Sequence, residues 1–116
     1  SSVSAGLGRV AESTPIDYLS LPIKCSESCV GIKVSGDSMS PTITDGAIII
    51  LKKEIEVLDR EIGVFLLNDE AYVKRIIRKD KLLLLYSDNF LYEPIIVTEK
   101  DNFVICGKVI ETLNKL

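Results

Sequence analysis

Histidine is absent from the 116 residues, which excludes every catalytic arrangement that uses an imidazole base, the Ser-His-Asp triad included. Cysteine is scarce and odd in number, at Cys25, Cys29 and Cys106. Three thiols make no disulfide framework, and a Cys-x3-Cys pair without histidine is a poor zinc site. The expectation is three reduced thiols in a cytoplasmic protein, with no metal and no cofactor. A basic excess is missing too: 14 Lys and Arg against 17 Asp and Glu leave a net charge of −3. No electrostatic footprint for nucleic acid follows from that balance. No apolar run approaches the roughly 20 residues that span a bilayer, and the N-terminus lacks the charged and apolar regions of a signal peptide. Internal repeats and low-complexity tracts are also missing.

What is present is an ordinary globular composition, 47% hydrophobic and 27% charged, enough for one domain with one core. Residues 1–14 are rich in Ser, Gly and Ala without helical periodicity, and Pro15 marks the approach to a folded body over 15–116. A chain that starts on such an arm looks like the C-terminal piece of something longer. The body reads as short strands. Val30, Ile32 and Val34 alternate with small or polar residues, and Asp45-Gly46 is a turn before Ile48-Ile49-Ile50-Leu51. Val64-Phe65-Leu66-Leu67 and Ala71-Tyr72-Val73-Lys74-Arg75-Ile76-Ile77 flank the polar loop Asn68-Asp69-Glu70 as a hairpin. Further strands are expected over 81–86, 95–97 and 103–110. Only 53–60 carries enough Glu, Lys and Leu for a helical turn, and it reads equally well as loop. The fold class is mainly β, with strongly curved sheets.

Two residues stand in settings that suit chemistry. Ser38 lies in Ser35-Gly36-Asp37-Ser38-Met39-Ser40-Pro41, a break directly after an apolar strand. Such a serine is commonly a turn residue bonding its own backbone. Here, though, Gly36 permits a sharp exit from the strand, and the backbone N–H groups of the turn around Asp37 and Met39 suit an oxyanion hole. Lys74 lies within a strand, where lysine is usually solvated. Its face is shared with Tyr72 and Ile76, however, and burial there lowers an amine's pKa. A neutral lysine is the base that remains for a serine nucleophile in a chain without histidine.

Val34-Ser35-Gly36-Asp37-Ser38-Met39-Ser40-Pro41-Thr42-Ile43-Thr44-Asp45-Gly46, followed by Tyr72-Val73-Lys74-Arg75-Ile76, resembles the C-terminal self-cleavage domain of LexA and of phage CI-like repressors. The resemblance continues through Leu84 to Val97, with Pro94-Ile95-Ile96-Val97 at its end, and through Phe103 to Ile110. It implies highly twisted, partly closed sheets of the LexA C-terminal, signal-peptidase-like type. It also implies that Ser38 is the nucleophile and Lys74 its base, in a serine endopeptidase acting on its own chain. The family cuts itself at an Ala–Gly or Cys–Gly bond ahead of the core, and Ala5–Gly6 matches that pattern. The sequence departs from the family at Ala47, at Leu7 and at Tyr86-Ser87-Asp88-Asn89, which keeps only part of a Pro-Glu-Asn pattern.

The resemblance further implies an N-terminal helix-turn-helix domain missing from this chain, through which operator DNA would be bound. Cutting Ala5–Gly6 would part that domain from a homodimer formed through C-terminal strands, as in SOS or prophage induction. The inducer would be a RecA–single-stranded-DNA filament or an antirepressor, in a bacterial cytoplasm. Strand 103–113 is apolar on both faces, so it is expected either to pair with a second copy or to lie centrally in the core. The rival readings are a UmuD-like self-processing protein, a signal peptidase I-type protease (which would need a membrane anchor), and a catalytically idle dimerisation module.

Overall fold

The computed structural model describes residues 28–53 and 56–115, and all regular structure among them is strand. The strands are β1 (Cys29–Lys33), β2 (Ile48–Lys52), β3 (Ile62–Leu67), β4 (Glu70–Lys79), β5 (Leu82–Tyr86), β6 (Ile95–Val97) and β7 (Phe103–Leu113). Each forms where β-branched and large apolar residues cluster between turn residues. The β3–β4 turn narrows to Asn68 and Asp69, both with positive φ (51° and 70°), the backbone of a tight two-residue hairpin. Asp80, with φ 56°, serves the β4–β5 turn in the same way. The described part of 53–60 holds turn and loop and no helix.

All seven strands make one antiparallel sheet in the order β1-β2-β7-β3-β4-β5-β6. β1 and β6 are its edges and it does not close into a barrel. The mainly-β expectation therefore holds, with an open sheet. The last described strand is an interior one, third in that order between β2 and β3. β3 pairs with β7 from Phe103 to Lys108, and β2 pairs with it from Lys108 to Leu113. Among the described strands, each half of β7 is thus hydrogen-bonded along one edge only. Within one chain the strand lies inside the sheet, and among the described strands the outer edge of 109–113 is left open.

Register shifts in both ladders, at Ile50/Leu51 and at Val64/Phe65, bend the sheet where it crosses β7, as bulges do. Glycine is required at that bend. A Cβ on Gly63 would sit 2.7 Å from the Gly107 carbonyl oxygen, and one on Gly107 would sit 2.5 Å from that of Lys52. Apolar side chains then gather in two clusters. One contains Val34, Met39, Ile43, Ile49 and Val73. The other contains Val57, Phe65, Leu67, Ile76 and Leu85, with Phe65 stacked on Phe103 at 5.6 Å between ring centroids.

One expectation fails here. Cys29 is disulfide-bonded, and Cys106 is the free thiol among the described residues. An odd cysteine count excludes complete pairing but not a single bond, and the expectation of three reduced thiols overlooked that difference. No helix among the described residues is long and apolar enough to cross a membrane.

Candidate active site

The segment after β1 is bent by Gly36, whose φ of +94° lies in the left-handed region that glycine alone occupies freely. Its N–H donates to Asp45 Oδ1 at 2.8 Å, which ties the exit of the strand to the following turn. That bond occupies the Gly36 amide, so it is not an oxyanion donor in this arrangement. Met39 is fully buried in the first cluster, and the Ile43 N–H donates to its carbonyl at 2.9 Å. Anchored at Met39, the turn presents Ser38 inward, and Ser38 is fully buried as well.

Lys74 stands at the middle of β4, opposite Gly63 of β3. Only 2% of it is exposed, so the amine sits in the interior. Its Nζ lies 3.2 Å from Ser38 Oγ and 2.6 Å from Ser87 Oγ. The rings of Tyr72 and Tyr92 face it with centroids 5.9 and 5.7 Å away. Burial disfavours the ammonium and pushes the Lys74 pKa from 10.5 down to about 8. A buried serine hydroxyl in contact with an amine that is partly neutral near physiological pH is the pairing that nucleophile activation requires.

Segment 87–92, just past β5, holds the two sides together. Asn89 N–H donates to the Ser38 carbonyl at 2.9 Å, and Asn89 Nδ2 donates to the Asp37 carbonyl at 3.1 Å. Tyr92 Oη donates to Asp37 Oδ1 at 2.5 Å. Asp37 is thus a structural acceptor beside the nucleophile. Among the described residues, no cluster of three or more His, Cys, Asp or Glu is placed to hold a metal. Ala5 and Gly6, and the arm over 1–14, lie outside the described residues.

The family model described as Peptidase S24-like matches residues 1–110. This chain belongs to the peptidase S24-like family. It is similar to the LexA repressor of Syntrophomonas wolfei, with 37% identity over 117 residues that cover 98% of this chain and 56% of that protein. It is also similar to the LexA repressor of Clostridium tetani, at 37% over 97% of this chain and 57% of that one. A third LexA repressor, from Syntrophotalea carbinolica, is 35% identical over 89% of this chain and 55% of its own length. The chain therefore spans about half the length of the curated relatives it matches.

Within this S24-like site, Ser87 is the residue that sequence reasoning missed. Its motif, Tyr86-Ser87-Asp88-Asn89, matches the family pattern only in part and does not mark it. The β4–β5 register of the structure does: it pairs Lys79 with Leu82 and Arg75 with Tyr86, and running it one step further puts position 87 opposite Lys74.

Proposed function

We propose that this chain is the self-cleaving and dimerising part of a LexA-like repressor, acting as a Ser-Lys autopeptidase on its own arm at Ala5–Gly6. The observation that carries this is the 3.2 Å contact between two buried groups, Ser38 Oγ and Lys74 Nζ. In the reaction, neutral Lys74 takes the Ser38 proton as Oγ attacks the Ala5 carbonyl carbon. The resulting oxyanion is received by backbone N–H groups of the turn around Asp37 and Met39. The C–N bond to Gly6 then breaks, and the Lys74 ammonium returns the proton to the departing Gly6 amine. Water, activated by Lys74, hydrolyses the acyl-serine and frees a fragment ending in Ala5. Because the arm belongs to the same chain, the attack is intramolecular, with effective molarities on the order of 10⁵–10⁸ M for well-oriented groups.

The domain plan belongs to the same proposal: residues 1–14 form the cleavage arm, 15–116 the peptidase and dimerisation body, and an N-terminal helix-turn-helix domain lies in the protein from which this piece comes. Support comes from the named relatives, which are repressors of about twice this length. Cutting would separate two linked half-site contacts and so weaken operator binding. A RecA–single-stranded-DNA filament or an antirepressor would trigger the event by favouring the docked arm. Dimerisation would use the open edge of 109–113, where Ile110 is exposed. The setting would be the cytoplasm of a bacterium.

The test is incubation of the chain at alkaline pH with mass measurement. The expected product begins at Gly6, and it should be missing from Ser38→Ala. An uncut parent, or equal cutting by Ser38→Ala, overturns the reading. The idle-module and UmuD-like alternatives are separated by the same assay and by the full-length gene product respectively.

A further inference from the structure

Asp88 is not part of the Ser38–Lys74–Ser87 contact, yet it is bonded to every element that supplies it. Its carboxylate takes a two-pronged contact from Arg75, with Nε donating to Oδ1 at 2.8 Å and Nη2 donating to Oδ2 at 2.7 Å. Thr42 Oγ1, in the turn that follows the nucleophile, donates to Oδ2 at 2.6 Å. The Asp88 N–H donates to Met39 Sδ at 3.4 Å. Arg75 continues the network by donating from Nη1 to the Arg60 carbonyl at 2.6 Å. Arg75 directly follows Lys74, and Asp88 directly follows Ser87. The ion pair therefore ties β4 to the segment after β5 beside the lysine–serine contact.

We propose that Asp88 is a positioning residue that sets the Ser38–Lys74 distance, holding the nucleophile turn through Thr42 and the lysine strand through Arg75. This rests on the self-cleavage reading above. Fork-to-carboxylate geometry fixes both distance and angle, which a single flexible contact does not. The pair is also mostly withdrawn from water, with side-chain exposures of 33% and 15%, so solvent screens it little. Burial depresses the proton affinity of Lys74, and the Asp88 carboxylate is itself taken up by Arg75 and Thr42. Asp88 therefore acts on the site by geometry and water exclusion.

The experiment uses the full 116-residue chain and three variants: Asp88→Asn, Thr42→Val and the double variant Asp88→Asn/Arg75→Gln. Three quantities are measured: the rate of appearance of the Gly6-starting fragment against pH, the folded fraction by thermal melting, and the Lys74 titration by NMR in a Ser38→Ala background. For folded Asp88→Asn, cutting should slow by about 10²-fold, the loss expected for a misplacement of roughly 1 Å. The Lys74 midpoint should rise from about 8 toward its ordinary value of 10.5 as water enters. The double variant should cut no more slowly than Asp88→Asn, and Thr42→Val should show a smaller loss with a shift in the same direction. Parent-rate cutting by folded Asp88→Asn overturns the proposal. So does a loss that merely follows the unfolded fraction with the midpoint unmoved. If Asp88→Asn does not fold, Thr42→Val decides on the same two readouts. A parent chain that never cuts sinks the self-cleavage reading instead, and the Lys74 titration still judges Asp88.

Discussion

Lys74 Nζ lies closer to Ser87 Oγ, at 2.6 Å, than to the Ser38 hydroxyl it would deprotonate, at 3.2 Å. The shorter contact orients the amine without competing for its role, because Ser87 Oγ can donate or accept. Ser87→Ala is expected to leave the fold intact and slow self-cleavage, by up to about 10²-fold. Timed mass measurement at fixed pH checks it, and a parent-like rate would mean that the packing around Lys74 orients the amine unaided.

Replacing the base without opening a hole gives a sharper test than alanine. Lys74→Met keeps the aliphatic stem and removes the amine, so cutting should be lost. The thermal midpoint should stay level or rise, since a poorly solvated nitrogen has been deleted. Residual cutting at the parent rate contradicts a lysine base.

The pH dependence follows from the same burial. Only the neutral amine accepts the Ser38 proton, so the rate should climb about tenfold per pH unit below the Lys74 pKa and level off above it. That break is expected at about pH 8. Stability moves with it. Between about 8 and 10.5 the unfolded chain keeps a proton that the folded chain has shed, so unfolding free energy rises with pH there. Below that window the cost of burying Lys74 is present in full. A rate flat from neutral to strongly alkaline pH removes the lysine from the mechanism.

Self-association and cutting should be separable. Ile110→Glu places a charge beside the open edge of 109–113, and sedimentation should show a weakened dimer. Each protomer carries its own Ser38 and Lys74, so cutting should persist. A parent chain that stays monomeric at high concentration ends the dimer proposal.

Gly107→Ala tests the sheet itself. The new Cβ meets the Lys52 carbonyl at 2.5 Å and Leu51 Cγ at 3.0 Å, and backbone cannot rotate out of the way. Overpacking of this kind costs about 1–3 kcal/mol, measurable as a lowered denaturation midpoint. No change would mean that β2 and β7 slide apart freely.

Most of the strands were legible because their apolar residues alternate or cluster between turn residues, as at Val30, Ile32 and Val34. Ser38 and Lys74 were legible as candidates because histidine is missing and because their flanking motifs occur in order. Their contact was not, since it depends on pairing between segments far apart in sequence. Ser87 and Asp88 were hidden for a related reason. A serine and an aspartate after a strand look like turn residues until the register of that strand is known. The disulfide at Cys29 left no trace in spacing.

The position of β7 between β2 and β3 bears on when the site is completed during synthesis. β1 and β2 pair with each other, β3 to β6 form a second series, and β7 joins the two. Asn114, just past β7, also holds the nucleophile turn, accepting from Thr44 N–H at 3.0 Å and donating to the Thr42 carbonyl at 3.2 Å. A ribosome adds residues in order, so Ser38 and Lys74 leave it well before the strand that unites their halves of the sheet. Until then the turn that carries Ser38 and the strand that carries Lys74 are linked through segment 87–92 alone, without the strand that unites their halves of the sheet. In the proposed self-cleavage, translation order thus delays the complete site until β7 has emerged from the ribosome.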